Sequence, residues 1–305
     1  MIDLIIVNYK STDFLHTCLS SVYENLNGTK VNVHVFDNGS DDHVDLIKTN
    51  FPKISLIKNH RNLGFSSGVN RVLEKTSSPY ILILNPDTIV YDDFFESVVG
   101  FMKKNSDVGI LGPKVLDKAH CVQGSARAFP TLRSALFGRR SLLTRMFPRN
   151  RFTCANILSN LSDGKTPMEV DWVSGACMVV KREALDDVGL LDERFFLYWE
   201  DVDWCKRMWN KGWKVTYYPQ ATIKHAVGGS SEHNVFRSVF EFHKSAYAYF
   251  AKHFQSPRLL IKPLVVAGLS LRFCGILLLQ SARRVVLNFK PKSEKVKNVF
   301  KDLAN

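Results

Sequence analysis

The feature that most constrains this chain is a set of short apolar runs, each ending on a polar residue, with helix-like patterns between them. Leu4–Val7 and Tyr80–Leu84 are unbroken apolar stretches of the length and type expected for strands buried on both faces. Between them, Phe14, Leu15, Cys18, Leu19 and Val22 recur at helical spacing within Asp13–Tyr23. Val31–Phe36 and Ile54–Ile57 are further strand patterns, and Gly68–Lys75 suits a helix. Such alternation predicts an α/β fold with a doubly wound, mainly parallel sheet. Ligands bind such sheets at the carboxyl ends of the strands. The polar closures there are Asn8, Asp37 and the Asn85-Pro86-Asp87 turn.

Further along, residues 118–162 show no steady period and include seven arginines between Arg127 and Arg151. Regular patterns resume with a strand over Trp172–Val180, a helix over Asp201–Lys211 and a strand over Trp213–Tyr218. Residues 236–254 suit an aromatic-rich helix. Leu259–Leu279 is strongly apolar but broken by Lys262, Pro263 and Arg272, whereas a spanning helix needs about 20 nearly uncharged residues. An interfacial or re-entrant helix pair fits this stretch, and a core or dimer helix is the alternative. The expected organisation is a domain over 1–235, with a basic insertion at 118–165, then a helical, basic, membrane-associating region over 236–305.

Charge follows the same division. Of the net +12, residues 118–162 hold +8, with eight Lys/Arg and no acid. Residues 255–305 hold another +8, and the rest carries −4. Basicity confined to two segments suggests contact with an anionic surface or ligand, and an acidic body argues against nucleic-acid binding. The arginine segment read alone is also compatible with a solvated loop. Six scattered cysteines with no CxxC pair give no indication of a zinc ribbon or a disulfide-rich scaffold. The opening residues lack a basic n-region and a small-residue cleavage site, so a reducing, cytosolic setting is expected. No GxGxxG follows the first strand and no GxxxxGK[ST] occurs, which removes the main support for dinucleotide oxidoreductases and P-loop NTPases.

Carboxylates at strand and loop ends remain. Asp37 suits hydrogen bonding to a base or sugar edge, or an Asx turn. Asp87 is presented rigidly after Pro86, or caps a helix. Glu200 and Asp201 lie between the aromatic run Phe195–Trp199 and a helix, where an apolar wall raises a carboxyl's pKa and fits it for general-base work. Pairing of Asp201 or Asp203 with Lys206 or Arg207 is the structural alternative. His225 suits either a metal ligand or a structural role.

Taken together, these residues resemble the family-2 glycosyltransferases of GT-A fold. The resemblance covers roughly residues 1–230. It rests on Val7-Asn8-Tyr9, Phe36-Asp37-Asn38-Gly39-Ser40, Asn62-Leu63-Gly64-Phe65 with Asn70, Leu84-Asn85-Pro86-Asp87, Trp172-Val173-Ser174-Gly175-Ala176, Glu200-Asp201-Val202-Asp203 and His225, in the family's order. The Asn-Pro-Asp and Trp-Glu-Asp elements look most like bacterial rhamnosyltransferases of surface-polysaccharide assembly. The resemblance implies a nucleotide pocket lined by Asn8 and Asp37, with Asp37 accepting the N3–H of uracil or thymine, and closed by the Asn62 loop. Asn85 and Asp87 would stand in the family's DxD position, His225 and Asp87 would hold Mg²⁺ or Mn²⁺, and Gly175 would lie against the donor sugar. Asp201 would be the catalytic base, with Trp199 and Glu200 on the acceptor side. Asn85 in place of a carboxylate weakens the cation site, since an amide oxygen is a poorer ligand for a hard ion.

The implied reaction is inverting transfer of one sugar, with dTDP-L-rhamnose the favoured donor and UDP-hexoses next. The acceptor would be a polyprenyl-diphosphate-linked saccharide at the cytoplasmic face of a bacterial membrane. An anionic membrane surface and a homodimer partner are further expectations. A catalytically silent nucleotide-binding membrane module is the alternative of another class.

Overall fold

The computed structural model describes residues 1–40, 43–131, 156–226, 235–254 and 266–276. The first strand, β1 (Ile2–Asn8), is buried along its whole length. Its side chains alternate between two cores. Ile2, Leu4 and Ile6 join one core, with α1 (Thr12–Glu24), α2 (Asp45–Asn50) and α4 (Phe94–Lys104). Ile5 and Val7 join the other, with α3 (Phe65–Leu73), α5 (Arg182–Val188) and α6 (Glu200–Asn210). Each fully buried aliphatic side chain contributes about 1.5–3 kcal/mol, so a strand apolar on both faces is stable only in the middle of such a sandwich.

The remaining strands are β2 (Val31–Asn38), β3 (Ser55–Asn59), β4 (Tyr80–Leu84), β5 (Thr88–Val90), β6 (Val108–Leu116), β7 (Ala126–Arg127), β8 (Met168–Glu169), β9 (Trp172–Val173), β10 (Cys177–Lys181) and β11 (Lys214–His225). The main sheet runs β3-β2-β1-β4-β10-β6-β11-β5, with β8 on β11, and β7 pairs β9 separately. Its first four strands are parallel. Beyond β4 it is mixed: β10 is antiparallel to both β4 and β6, and β5 and β8 are antiparallel to β11. β11 is parallel to β6, so the expectation of a mainly parallel sheet holds fully for the first four strands, while the second half mixes the two directions. The order reverses between β2 and β4 around β1, which opens a crevice at their carboxyl ends.

The expected strand over Trp172–Val180 is two strands, because its halves have different partners. Trp172 and Val173 pair with β7, whereas β10 lies between β4 and β6. The chain turns between them at Ser174-Gly175-Ala176, closed by Cys177 N–H donating to Ser174 O at 3.4 Å.

Met1–Glu232 forms one compact unit and His233–Asn305 a second. In the second, α7 (Val235–His253) is accompanied by a helical segment over 266–276, whose Phe273 meets Phe236, Phe240 and His243 edge-on. Among the described residues no helix is long and apolar enough to cross a membrane. Of the seven arginines from Arg127 to Arg151, only Arg127 lies within the described residues, as do only 266–276 of Leu259–Leu279.

Candidate active site

The polar residues that close β1, β2 and β4 meet at the crevice. Asn8 and Asp37 are register partners, both buried, and Asn8 Nδ2 donates to Asp37 Oδ1 at 3.1 Å and to Ser40 Oγ at 3.2 Å. Ser40 N–H reaches Asp37 Oδ2 at 3.3 Å, an Asx-type contact, so Asp37 also shapes its own turn. Asn8 Oδ1 has no hydrogen-bond partner. Asn62 builds the neighbouring loop: its Oδ1 accepts from Gly64 N–H at 2.9 Å and from Asn38 Nδ2 at 3.2 Å. Asn38 Nδ2 also donates to Gly64 O at 2.9 Å, which ties this loop to the end of β2.

After β4, Asn85 N–H donates to Ala176 O at 3.0 Å, placing the Asn85-Pro86-Asp87 turn beside Gly175. Residues 88–90 are a strand, so Asp87 is not the helix cap that its sequence also suited. Thr88 pairs with His225, which brings His225 Nε2 to 3.2 Å from Asp87 Oδ1. Gln123 orients that imidazole. Its Nε2 donates to His225 O at 2.9 Å and its Oε1 faces Nδ1 at 3.5 Å, turning the other ring nitrogen to Asp87.

A divalent cation suits this pair. Carboxylate and imidazole are both suitable donors for Mg²⁺ or Mn²⁺, and Asp87 and His225 would be the residues to hold it. Among the described residues no cluster of three or more His, Cys, Asp or Glu could hold a metal. Asn85 enters this region through its backbone, whose carbonyl accepts from Thr88 Oγ1 at 2.7 Å.

Asp201 lies in the first turn of α6. Its Oδ2 accepts from Gly175 N–H at 3.0 Å and its Oδ1 from Val202 N–H at 2.8 Å. Burial raises its pKa, and those two N–H groups and the charge of Arg127 offset the rise only in part. Glu200 is buried with Oε2 lacking a partner; burial, then the adjacent Asp201, push its carboxyl well above the usual range. Trp199 precedes them at φ 71°, an unusual conformation for a bulky residue. Asp203 is fully buried and ion-paired with Arg207 at 2.9 Å, the i,i+4 contact that its spacing suggested.

The structure thus gathers Asn8, Asp37, Asn85, Asp87, Gly175, Asp201 and His225 around the carboxyl ends of β1, β2 and β4, with Asn62 supporting the rim. Gln123 and Glu193 were not singled out as site residues from the sequence. Gln123 sits in an aperiodic stretch and gave no signal, and Glu193 lies within an acidic-aromatic run where only Glu200 and Asp201 stood out.

A family model described as "Glycosyltransferase like family 2" matches residues 2–243. The chain belongs to the family-2 glycosyltransferases. This glycosyltransferase is 30% identical over 233 residues to an N-acetylglucosaminyl-diphospho-decaprenol L-rhamnosyltransferase of Mycobacterium tuberculosis, covering 72% of the chain and 75% of that protein. It is 24% identical over 183 residues to the dTDP-rhamnosyl transferase RfbF of Shigella flexneri, 59% of the chain but 54% of that relative's length. Among solved structures it is similar to the mannosyltransferase PcManGT of Pyrobaculum calidifontis in complex with GDP-Man and Mn²⁺. The TM-score is 0.56 at 15% identity, over 99% of this chain and 80% of that one, a likeness of fold. The fold is of GT-A type, as the sequence implied.

Proposed function

We propose that this glycosyltransferase moves L-rhamnose from dTDP-L-rhamnose to a saccharide carried on a polyprenyl diphosphate, with inversion at the anomeric carbon. The observation that carries the reaction class is Asp201, a carboxylate with a raised pKa fixed by two backbone N–H groups beside Gly175 at the crevice. Asp201 takes the proton from the acceptor hydroxyl as that oxygen attacks the anomeric carbon and the bond to the leaving diphosphate breaks. Nucleotide recognition is assigned to Asn8 and Asp37. Among the described residues the Oδ2 of Asp37 carries only the long Ser40 contact, which leaves capacity for the imide N–H of thymine or uracil. Asp87 and His225 would hold a divalent cation, which when bound supplies charge neutralisation for the leaving diphosphate. Trp199 and Glu200 lie on the acceptor side, and Gly175 lies under the donor sugar.

The choice of donor and acceptor is supported by the activities for which the mycobacterial and Shigella relatives are named. Work on a lipid-linked acceptor calls for a membrane surface, and α7 offers one. Its exposed stripe of Phe236, Arg237, Phe240, Lys244, Tyr247 and Ala251, with Phe254 just past its end, holds four aromatic residues, two cations and no acid. That composition suits the headgroup region of an anionic bilayer.

The test is transfer to a synthetic polyprenyl-diphosphate N-acetylglucosamine across a nucleotide-sugar panel with Mg²⁺, Mn²⁺ or EDTA, with Asp201→Asn alongside. Turnover of dTDP-L-rhamnose, abolished by EDTA and reduced about 10²–10⁴-fold in Asp201→Asn, is expected. Turnover of a UDP-hexose instead would replace the donor. Binding of dTDP without turnover of any donor would sink the transfer mechanism built on Asp201.

A further inference from the structure

The acidic-aromatic loop before the base is pinned by a side-chain cluster that the mechanism does not use. The loop from Leu191 to Trp199 ends in two consecutive bulky residues in the left-handed region, Tyr198 at φ 67° and Trp199 at φ 71°. That conformation persists only where surrounding structure over-determines it, and it aims the first turn of α6 at Gly175. One face of α3 holds the earlier part of this loop, from Leu191 to Phe196.

Asn70, 3% exposed, donates from Nδ2 to Leu191 O at 2.9 Å and to Glu193 Oε1 at 3.1 Å, and its Oδ1 accepts from Leu191 N–H at 3.1 Å. Ser67 Oγ donates to Glu193 Oε2 at 2.7 Å, and Ser66 Oγ donates to Phe195 O at 2.7 Å. Phe65 N–H closes the series on Phe196 O, also at 2.7 Å. Gly64 permits this approach: at φ 90°, a Cβ there would stand 2.5 Å from Phe196 O. The residues just ahead of the loop are tied to α6, where Arg207 donates to Val188 O and Leu190 O and Trp204 Nε1 donates to Gly189 O. Helix α3 itself begins at the Asn62–Gly64 loop bonded to Asn38 on β2, so one short helix links the β2 crevice rim to the loop that precedes Asp201.

We propose that Asn70 and Glu193 are positioning residues: the latch they form with Ser66 and Ser67 fixes the 191–199 loop and thereby sets Asp201 in its attack position. The inference rests on the reading of Asp201 as the base. Among the described residues the latch makes no hydrogen bond to Asp201, so its loss acts on the chemical step through geometry, while Asn8 and Asp37 keep their places. A displacement of about 1 Å at a reacting group costs on the order of 10²-fold in rate.

Variants of the full chain separate positioning from simple stability. Glu193→Ala removes both acceptors. Asn70→Asp places two carboxylates face to face. Glu193→Gln keeps both contacts, with Oε1 toward Asn70 Nδ2 and Nε2 toward the Ser67 hydroxyl. Measured are kcat and KM with dTDP-L-rhamnose, Kd for dTDP, and amide hydrogen exchange, with Asp201→Asn run in parallel. Expected are kcat values about 10- to 100-fold lower in Glu193→Ala and Asn70→Asp, with faster exchange confined to residues 191–203. Glu193→Gln should stay within about threefold of the parent, and dTDP affinity within about twofold in every variant. Full kcat in Glu193→Ala beside a dead Asp201→Asn overturns the latch alone. A parallel loss of dTDP affinity, exchange raised throughout the chain, or a Glu193→Gln as poor as Glu193→Ala also overturns it. Parent kcat in Asp201→Asn overturns the base assignment, and with it the purpose of the latch.

Discussion

Gly175→Ala separates a structural glycine from a substrate-facing one. Its backbone does not occupy the left-handed region, and an added Cβ would lie 3.6 Å from Asp201 Cβ and 3.7 Å from Asp201 Oδ2, ordinary van der Waals distances. Protein atoms therefore accept the methyl group, and the N–H to Asp201 is untouched. Removing a glycine from a tolerant position stabilises by about 0.4–1 kcal/mol through the unfolded chain, so the urea midpoint should hold or rise slightly. The methyl group projects into the space assigned to the donor sugar. A sugar displaced by about 1 Å from in-line geometry loses on the order of 10²-fold in kcat/KM, equivalent to about 2.7 kcal/mol. Urea unfolding and initial-rate transfer assays on the same preparation read both quantities. Full activity in Gly175→Ala would refute the placement of the sugar, and a large drop in stability would refute the reading of the backbone.

At the opposite end of the sheet, Asp3 is a structural carboxylate. Burial pushes its pKa up, but donors from Asn32, Ser78 and Ser77 together outweigh burial and leave it below the ordinary value. A lowered folded-state pKa stabilises fully above the unfolded value, and that stabilisation is lost as pH falls through the folded one. Asp3→Asn turns an amide N–H against those donors and should cost about 2–4 kcal/mol at pH 7, less at pH 3, measured by urea unfolding at both. An equal cost at the two pH values would refute the linkage. Gly112→Ala should destabilise by about 1–3 kcal/mol, since its Cβ would stand 2.5 Å from Val173 Cβ. Because the clash is with Cβ itself, Val173→Ala should fail to relieve it, and a double variant restored to parent stability would show the strand had moved instead.

Local pattern was enough for the parallel half of the fold. The apolar runs of β1 and β4 and the 3.6-residue spacing of α1 appear in the structure within a few residues of their expected limits. The polar closures at Asn8, Asp37 and Asp87 fall where the crevice opens, because a buried strand carries polar side chains mainly at its ends, where loops supply hydrogen-bond partners. The mixed half was less legible. β6 carries Gly109, Gly112 and Pro113 within a buried strand, and β10 reads as one run with β9 until their different partners are known.

The sequence by itself determined the family, the sheet's first strands and which polar residues line its edge, since these follow from hydrophobic period and local residue order. Only the tertiary structure decided that His225 faces Asp87 across 138 positions of chain. It alone decided that Gln123 turns that imidazole and that Glu193 and Asn70 clamp the loop before Asp201. Hydrogen bonds between residues distant in sequence leave no period to read. They exist only once burial has brought strands and helices together and left each polar group to find a partner.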